Sequence, residues 1–186
     1  MFLKKIILLF FIIFAGIFAP TVFGAQDNPN SSIVIYYTIN GNTRTIAQRI
    51  SAMTSSDIFE IEKAKPYSDN YKKFTDQILN EAISKKCPKL KQKKLKDLYK
   101  YDIVYLGIPV YYGEIAPAMR TFLKANKFKG KTIIPFYSLD NGNLGNAAES
   151  TKKLVGKTHF KNGFEYKGKD KTQLDSELAN WLYSIK

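Results

Sequence analysis

Thr38-Ile39-Asn40-Gly41-Asn42-Thr43 gathers two hydroxyls and two side-chain amides around one glycine. Such neutral polar groups hold an anion by hydrogen bonding, provided that the flanking chain aims backbone donors at the same point. The flanks are suited to this. Ile33–Tyr37 is a short apolar, β-branched run that reads as a buried strand. Beyond the turn, Ile46, Ala47, Ile50 and Met53 recur on one face of an amphipathic helix. A strand, a polar turn and a helix N-terminus present free N–H groups and the positive end of the helix dipole to a common spot. Gly41 lets the backbone approach whatever sits there, and the guest these groups favour is a phosphate. The same residue types also serve as ordinary caps of a strand-to-helix turn. No lysine follows the glycine, so a nucleoside triphosphate loop is not indicated.

The elements that position this turn alternate along the whole chain. Strands are predicted at Ile33–Tyr37, Asp57–Ile61, Ile103–Gly107 and Thr132–Tyr137, with a weaker one across His159–Tyr166. Helical periodicity covers Thr43–Met53, Asn70–Ser84, Ala116–Ala125, Leu144–Leu154 and Thr172–Ser184. In the second helix Tyr71, Phe74, Ile78, Leu79 and Ala82 form an apolar stripe. In the last, Leu174, Leu178, Trp181 and Leu182 do so, which assigns Trp181 to the core. This pattern predicts an α/β, doubly wound, three-layer domain on a five-stranded parallel sheet over residues 33–186. In such sheets ligands lie beyond the carboxyl ends of the strands, where the strand order reverses. The turns after the first, third and fourth strands are therefore the informative ones.

After the third strand comes Ile108-Pro109-Val110-Tyr111-Tyr112-Gly113, with Pro117 shortly beyond. Prolines on either side of paired tyrosines give a stiffened loop that presents aromatic faces outside the sheet. A flat ligand would gain about 0.5–1.5 kcal/mol from stacking there, beyond its burial. The alternative is that both tyrosines pack against the following helix. After the fourth strand, Ser138-Leu139-Asp140-Asn141-Gly142, followed by Gly145, forms a small polar loop with donors and acceptors for the edge of a ring.

These three loops resemble those of the flavodoxin family. Thr38, Gly41 and Thr43 match its phosphate turn, with Asn40 in place of the usual threonine. Tyr111 and Tyr112 stand at the aromatic positions of a branch whose motif is Gly-x-Pro-Ile-Trp-Trp-Gly, and Ser138, Gly142 and Gly145 align with that branch's third loop. Asp140 and Asn141 depart from it, and a charge at Asp140 would disfavour a reduced, anionic flavin nearby. Lys129-Gly130-Lys131-Thr132 and Tyr67–Tyr71 extend the likeness over the whole domain. The resemblance implies a flavodoxin-like fold holding FMN without a covalent bond. The implied site is Thr38, Ile39, Asn40, Gly41, Asn42 and Thr43 at the phosphate. Pro109, Val110, Tyr111, Tyr112 and Gly113 would lie against the isoalloxazine, and Ser138, Leu139, Asp140, Asn141 and Gly142 beside its pyrimidine edge. It also implies that the Tyr112–Gly113 peptide reorients to accept a hydrogen bond from flavin N5.

Composition narrows the setting. Lys4 and Lys5 precede an almost unbroken apolar run, Ile6–Ala19, and the small residues Val22 and Gly24 flank a cleavage point before Ala25. Residues 1–24 thus read as an export signal and 25–32 as a linker, with a retained N-terminal anchor as the competing reading. No cysteine marks that junction for a lipid, and no twin arginine precedes the run, so export would be in the unfolded state and FMN would be acquired in the periplasm or outside the cell. Cys87 is the only cysteine and His159 the only histidine, which excludes an intramolecular disulfide and gives no basis for a zinc or Cys–His site.

The formal charge is +13, and the leader accounts only for Lys4 and Lys5, leaving +11. Common flavodoxins are acidic, so the opposite sign here implies an acidic or membrane-associated redox partner; no nucleic acid is expected, because the basic patch lacks interleaved aromatics and the chain reads as exported. The lysines between Lys85 and Lys100 are the first candidate surface, the alternative being a solvated loop with little part in the core. The reading that results is an exported FMN-binding electron-transfer protein. An FMN-dependent quinone or nitro-compound reductase and a flavin-free binding protein on the same fold remain as alternatives.

Overall fold

A computed structural model describes residues 31–139, 142–168 and 172–185. The expected export signal, residues 1–24, and the expected linker up to residue 30 lie outside the described residues, as do Asp140 and Asn141. In chain order the elements are β1 (Ser32–Tyr37), α1 (Asn42–Thr54), β2 (Asp57–Ile61), α2 (Tyr71–Ile83), a 3-10 turn (Lys96–Lys100), β3 (Ile103–Tyr111) and β4 (Glu114–Ile115). There follow α3 (Pro117–Ala125), β5 (Thr132–Leu139), α4 (Ala147–Val155), β6 (His159–Phe160), β7 (Phe164–Tyr166) and α5 (Leu174–Ser184). The sheet order is β2-β1-β3-β5-β6, all parallel, with β4 hairpinned onto β3 and β7 continuing along β5. The predicted doubly wound parallel sheet of five central strands is therefore present.

Alternation along β1 sorts its side chains between two core layers. Ile33, Ile35 and Tyr37 join one cluster with Met119 and Phe122 of α3 and Ala147 of α4. Val34 and Tyr36 join the other with Ile46 and Ile50 of α1 and Leu174 and Leu178 of α5. A period of two, apolar on both faces, is what a strand covered by helices on each side requires. Each large apolar side chain buried in this way contributes about 1.5–3 kcal/mol. Trp181 packs at the edge of the second layer, its ring 5.5 Å from that of Phe164. Met53, at the end of the predicted stripe of α1, is instead exposed.

Several boundaries differ from the sequence expectation, each for a local reason. β3 runs to Tyr111, so Pro109, Val110 and Tyr111 belong to the strand and not to a loop. Pairing of β1 with β3 ends at Tyr36↔Gly107, so on that side the proline beyond it interrupts no ladder. The predicted strand His159–Tyr166 divides into β6 and β7, which pair with β5 on either side of Pro135. Proline has no N–H to give the ladder at that point. The fourth and fifth helices start later than expected, at Ala147 and Leu174.

The lysine-rich stretch is also not a loop detached from the core. Leu90 and Leu98 are buried within it. Its backbone pairs with the chain after β2, through Lys91 N to the Glu62 carbonyl and Ala64 N to the Lys89 carbonyl, both 2.9 Å. Asn126 at the end of α3 holds it from the other side, accepting from Leu95 N and donating to the Lys93 carbonyl. Among the described residues no helix is long and apolar enough to cross a membrane.

Gly107, in the middle of β3, has no room for a side chain on the face covered by α1 and α5. A Cβ there would stand 2.4 Å from the Phe136 ring and 2.6 Å from Tyr36 Cβ. Gly107→Ala should lower the unfolding free energy by about 1–3 kcal/mol, the usual cost of overpacking. Urea denaturation checks this, and an unchanged midpoint would show that the core yields freely at that point.

Candidate functional site

All three informative turns converge at the carboxyl end of the sheet. In the first, Thr38 Oγ1 accepts from Gly41 N at 3.0 Å and Asn40 Oδ1 from Asn42 N at 3.2 Å, so side chains shape the turn. Gly41 takes a φ of 86°, a left-handed conformation that costs glycine little. α1 then begins with no side-chain cap and no acidic residue in its first turn. Among the described residues nothing accepts from the N–H groups of Thr43 or Arg44. A helix start with free donors and no competing carboxylate is electrostatically ready for an anion. Thr38 keeps its hydroxyl hydrogen, and Asn40 and Asn42 keep their amide hydrogens, for the same guest.

Thr43 has a different place from the one its sequence suggests. Its side chain is fully buried, and Thr43 Oγ1 lies 2.7 Å from Ser138 Oγ, itself buried at the end of β5. The hydroxyl therefore ties the first turn to the third, and of Thr43 only the N–H is left without a partner among the described residues. Leu139 is likewise strand and core.

The structure separates the paired tyrosines. Tyr111 ends β3 only 7% exposed, its ring 6.1 Å from that of Phe74 of α2 and nearly perpendicular to it. The expectation that it presents a free face is corrected: packing beside Phe74 of α2, at the end of a strand covered on both sides, buries it. Tyr112 is 54% exposed. Tyr112 and Gly113 form a two-residue hairpin between β3 and β4, with φ of 53° and 72°. Positive φ at both positions is the type I′ geometry that a tight hairpin favours. For a tyrosine this conformation is strained, and such strain gathers at sites of function.

The second and third turns meet. Asn146 N donates to the Gly113 carbonyl at 2.8 Å, and a Cβ on Gly145 would stand 2.5 Å from Gly113 Cα. The absence of side chains at both glycines permits that approach. Gly142 follows the undescribed pair with a φ of 73°.

Between the first and second turns lies a cavity of about 300 Å³ lined by Ile39, Asn40, Tyr71, Phe74, Thr75, Ile78, Tyr111 and Tyr112. Four of these belong to α2, and three of them, Tyr71, Phe74 and Ile78, come from its predicted apolar stripe. Only Ile78 and Ala82 of that helix are buried, and Tyr71 is 78% exposed. An apolar stripe of that kind serves a core face or a ligand face equally, so periodicity alone could not tell them apart.

A second cavity, about 440 Å³, adjoins it and includes Thr38, Glu60, Lys63 and Tyr67. Lys63 is buried with its Nζ 3.4 Å from Glu81 Oε1 and 3.2 Å from the Tyr67 ring centroid. Burial pulls its pKa below the usual lysine range against the pull of Glu81. Tyr67 donates to Glu81 Oε2 at 2.6 Å, so the carboxylate is shared between phenol and ammonium.

Comparison with known proteins agrees with this geometry. A family model described as Flavodoxin matches residues 31–185. A crystal structure of a protein described as a flavoprotein from Bacteroides eggerthii shares 25% identity at a TM-score of 0.70, covering 84% of this chain and 98% of that one. A Lactobacillus acidophilus flavoprotein solved in complex with FMN shares 18% identity at a TM-score of 0.64, covering 82% and 99%. A mutant of a Fusobacterium nucleatum flavodoxin bound to flavin mononucleotide shares 13% at 0.51, covering 84% and 98%. At the last two identities the likeness is one of fold. No curated protein sequence matches the chain.

One ion pair fixes the first turn to the neighbouring strand. Arg44 places Nη2 2.6 Å from Glu60 Oε1 and Nε 3.1 Å from Glu60 Oε2, which also accepts from Tyr36 at 2.6 Å. Burial pushes the Glu60 carboxyl up, but the Arg44 and Tyr36 hydrogen bonds prevail and hold it below its ordinary value. The unfolded chain therefore takes up the proton first as pH falls. The stabilisation is present above about pH 4.5 and is lost as pH drops through the folded value. Glu60→Gln should lose less stability than the wild type between about pH 7 and 4. Urea midpoints at both values measure this, and equal losses would show that the pair contributes nothing.

Proposed function

The chain belongs to the flavodoxin family, and from that premise we propose that it holds FMN without a covalent bond and passes electrons to a redox partner outside the cytoplasm. The observation that carries this reading is the uncapped start of α1 at Gly41, opening beside a cavity bordered by an exposed, strained Tyr112. One end of that arrangement fits a phosphate and the other a flat ring.

Bound FMN would supply the redox chemistry, since its isoalloxazine takes up and releases electrons. The chain's own residues bind, orient and tune. The N–H groups of Thr43 and Arg44, the Thr38 hydroxyl and the Asn40 and Asn42 amides would hold the phosphate. Each hydrogen bond to such an anion is worth about 1.5–3 kcal/mol. Tyr112 would lie against the ring, while Tyr111, fixed by Phe74, would set the wall behind it. The Thr43–Ser138 bond keeps the phosphate turn and the third turn at one spacing. The Asn146–Gly113 bond does the same for the second and third. No side-chain acid or base is needed for electron transfer.

Export is the part of this reading that rests on sequence alone. Lys4 and Lys5, the run Ile6–Ala19 and the small residues before Ala25 support it.

Titrating the apoprotein with FMN should quench flavin fluorescence at one equivalent; neither quenching nor heat of binding would overturn the cofactor assignment. Tyr112→Ala should raise the FMN Kd by about 3- to 10-fold and shift the reduction potential upward, because an electron-rich ring disfavours charge on the reduced form. Tyr111→Ala should instead cost about 3 kcal/mol of stability, as a core truncation does. If Tyr112→Ala leaves affinity and potential unchanged, Tyr112 is not the stacking ring.

A further inference from the structure

The lysines are not spread evenly over the domain. Parallel strands all begin at one end of the sheet, and the segments that lead into them carry Lys96, Lys100, Lys127, Lys129 and Lys157, all exposed. Lys93 and Lys94 reach the same end, because Asn126 after α3 donates to the Lys93 carbonyl and accepts from Leu95 N. Lys124 in the last turn of α3, and Lys152 and Lys153 in the last turn of α4, complete the set. Favourable interaction with helix dipoles accounts for these last three. It does not account for the loop lysines. The carboxylates at this pole are few: Asp97 is paired with Lys100, Asp57 accepts from the Tyr101 hydroxyl, and Asp102 makes the third. At the opposite pole, where the candidate flavin turns lie, lysines such as Lys65 and Lys72 are interspersed with Glu62, Asp69, Glu114 and Glu149.

A second observation concerns the same pole. Ser31 is fixed there: its carbonyl accepts from Asp102 N at 2.9 Å and Ile103 N at 3.3 Å, and its hydroxyl donates to the Lys100 carbonyl. The chain before it, which contains the apolar run Ile6–Ala19, therefore joins the domain beside the lysines and at the far end from the candidate site. Residues 20–30 between them span at most about 40 Å.

We propose that this lysine pole docks on an anionic membrane surface, which leaves the turns at the carboxyl end of the sheet facing away from the lipid. A clustered single-sign surface is drawn to acidic headgroups at about 1 kcal/mol per lysine near the surface. A retained apolar run would hold the same pole to the membrane, and a removed one would leave the lysines to act alone. Lys131 takes no part, since its ammonium is bound to the Tyr101 carbonyl. The inference does not rest on the flavin reading and stands or falls separately from it.

Both core layers close within the described residues, and the solved relatives consist almost wholly of this domain. The chain from Ala25 onward can therefore be tested without its apolar run. It should sediment with vesicles of equal parts phosphatidylglycerol and phosphatidylcholine at low salt, release as salt rises, and ignore phosphatidylcholine alone. Reversing Lys94, Lys96, Lys127 and Lys129 to glutamate should weaken that binding at least about 10-fold. Reversing Lys65, Lys72, Lys73 and Lys167, exposed lysines at the other pole, changes net charge equally and should weaken it by less than about 3-fold. Far-ultraviolet circular dichroism confirms that each variant is folded. Equal weakening by the two reversals would reduce the effect to net charge and overturn the proposal. So would binding to neither vesicle, or binding to an acidic polypeptide such as polyglutamate without binding to vesicles.

Discussion

A central strand without a solvent face constrains everything else in this domain. Every residue of β3 from Val104 to Tyr111 is buried, with β1 and β5 beside it and a helical layer above and below. Its side chains are spent on packing, and Gly107 shows how tightly, since the Phe136 ring occupies the space a Cβ would need. A strand of this kind has only its ends to offer a ligand. Parallel pairing then puts the carboxyl ends of these strands on one side, so the turns that matter are collected by topology before any of them acquires chemistry.

Collection alone would leave three independent loops. Short-range ties make them one structure. The buried Thr43–Ser138 bond spans β3 to link the starts of α1 and of the third turn, while backbone contact between Gly113 and Gly145 closes the second turn on the third. Neither tie involves a charge, and the Thr43–Ser138 bond is also buried. Their geometry is therefore insensitive to pH and to salt. The first turn is held from outside by Arg44 and Glu60, which is a pair that titrates. Rigid spacing among the turns and a softer attachment to the edge strand are thus built from different interactions.

Much of this was legible in the sequence because it depends on local pattern. The alternation of Ile33–Tyr37, the glycine-bearing turn and the helical stripe of α1 predicted the first β-α unit and its boundaries nearly to the residue. The order of elements predicted the sheet. What could not be read was set by distant partners. Tyr111 and Tyr112 are identical and adjacent, and only the register of β3 with β4 makes one a wall and the other an exposed ring. Thr43 matches a phosphate-turn position, yet its hydroxyl is claimed by Ser138, a residue on another strand. The face that α2 shows to the cavity, and the burial of Leu90 and Leu98 among lysines, likewise follow from what folds against them.

The distribution of charge has a consequence for how the proposed activities combine. The first turn carries no lysine, and any attraction it has for an anion would come from backbone donors and neutral side chains within about one helical turn. Such fixed, partly buried dipoles act at contact distance, and salt screens them little. The lysines of the opposite pole are exposed and act across solvent, where a Debye length near 10 Å at 0.1 M salt limits their reach. Under the proposed docking, ionic strength would tune attachment to an anionic surface without loosening a bound cofactor. Had the same lysines surrounded the phosphate turn, one change in salt would have shifted both. Separating them by the length of the sheet would make cofactor retention and the proposed surface binding independent properties of one small domain.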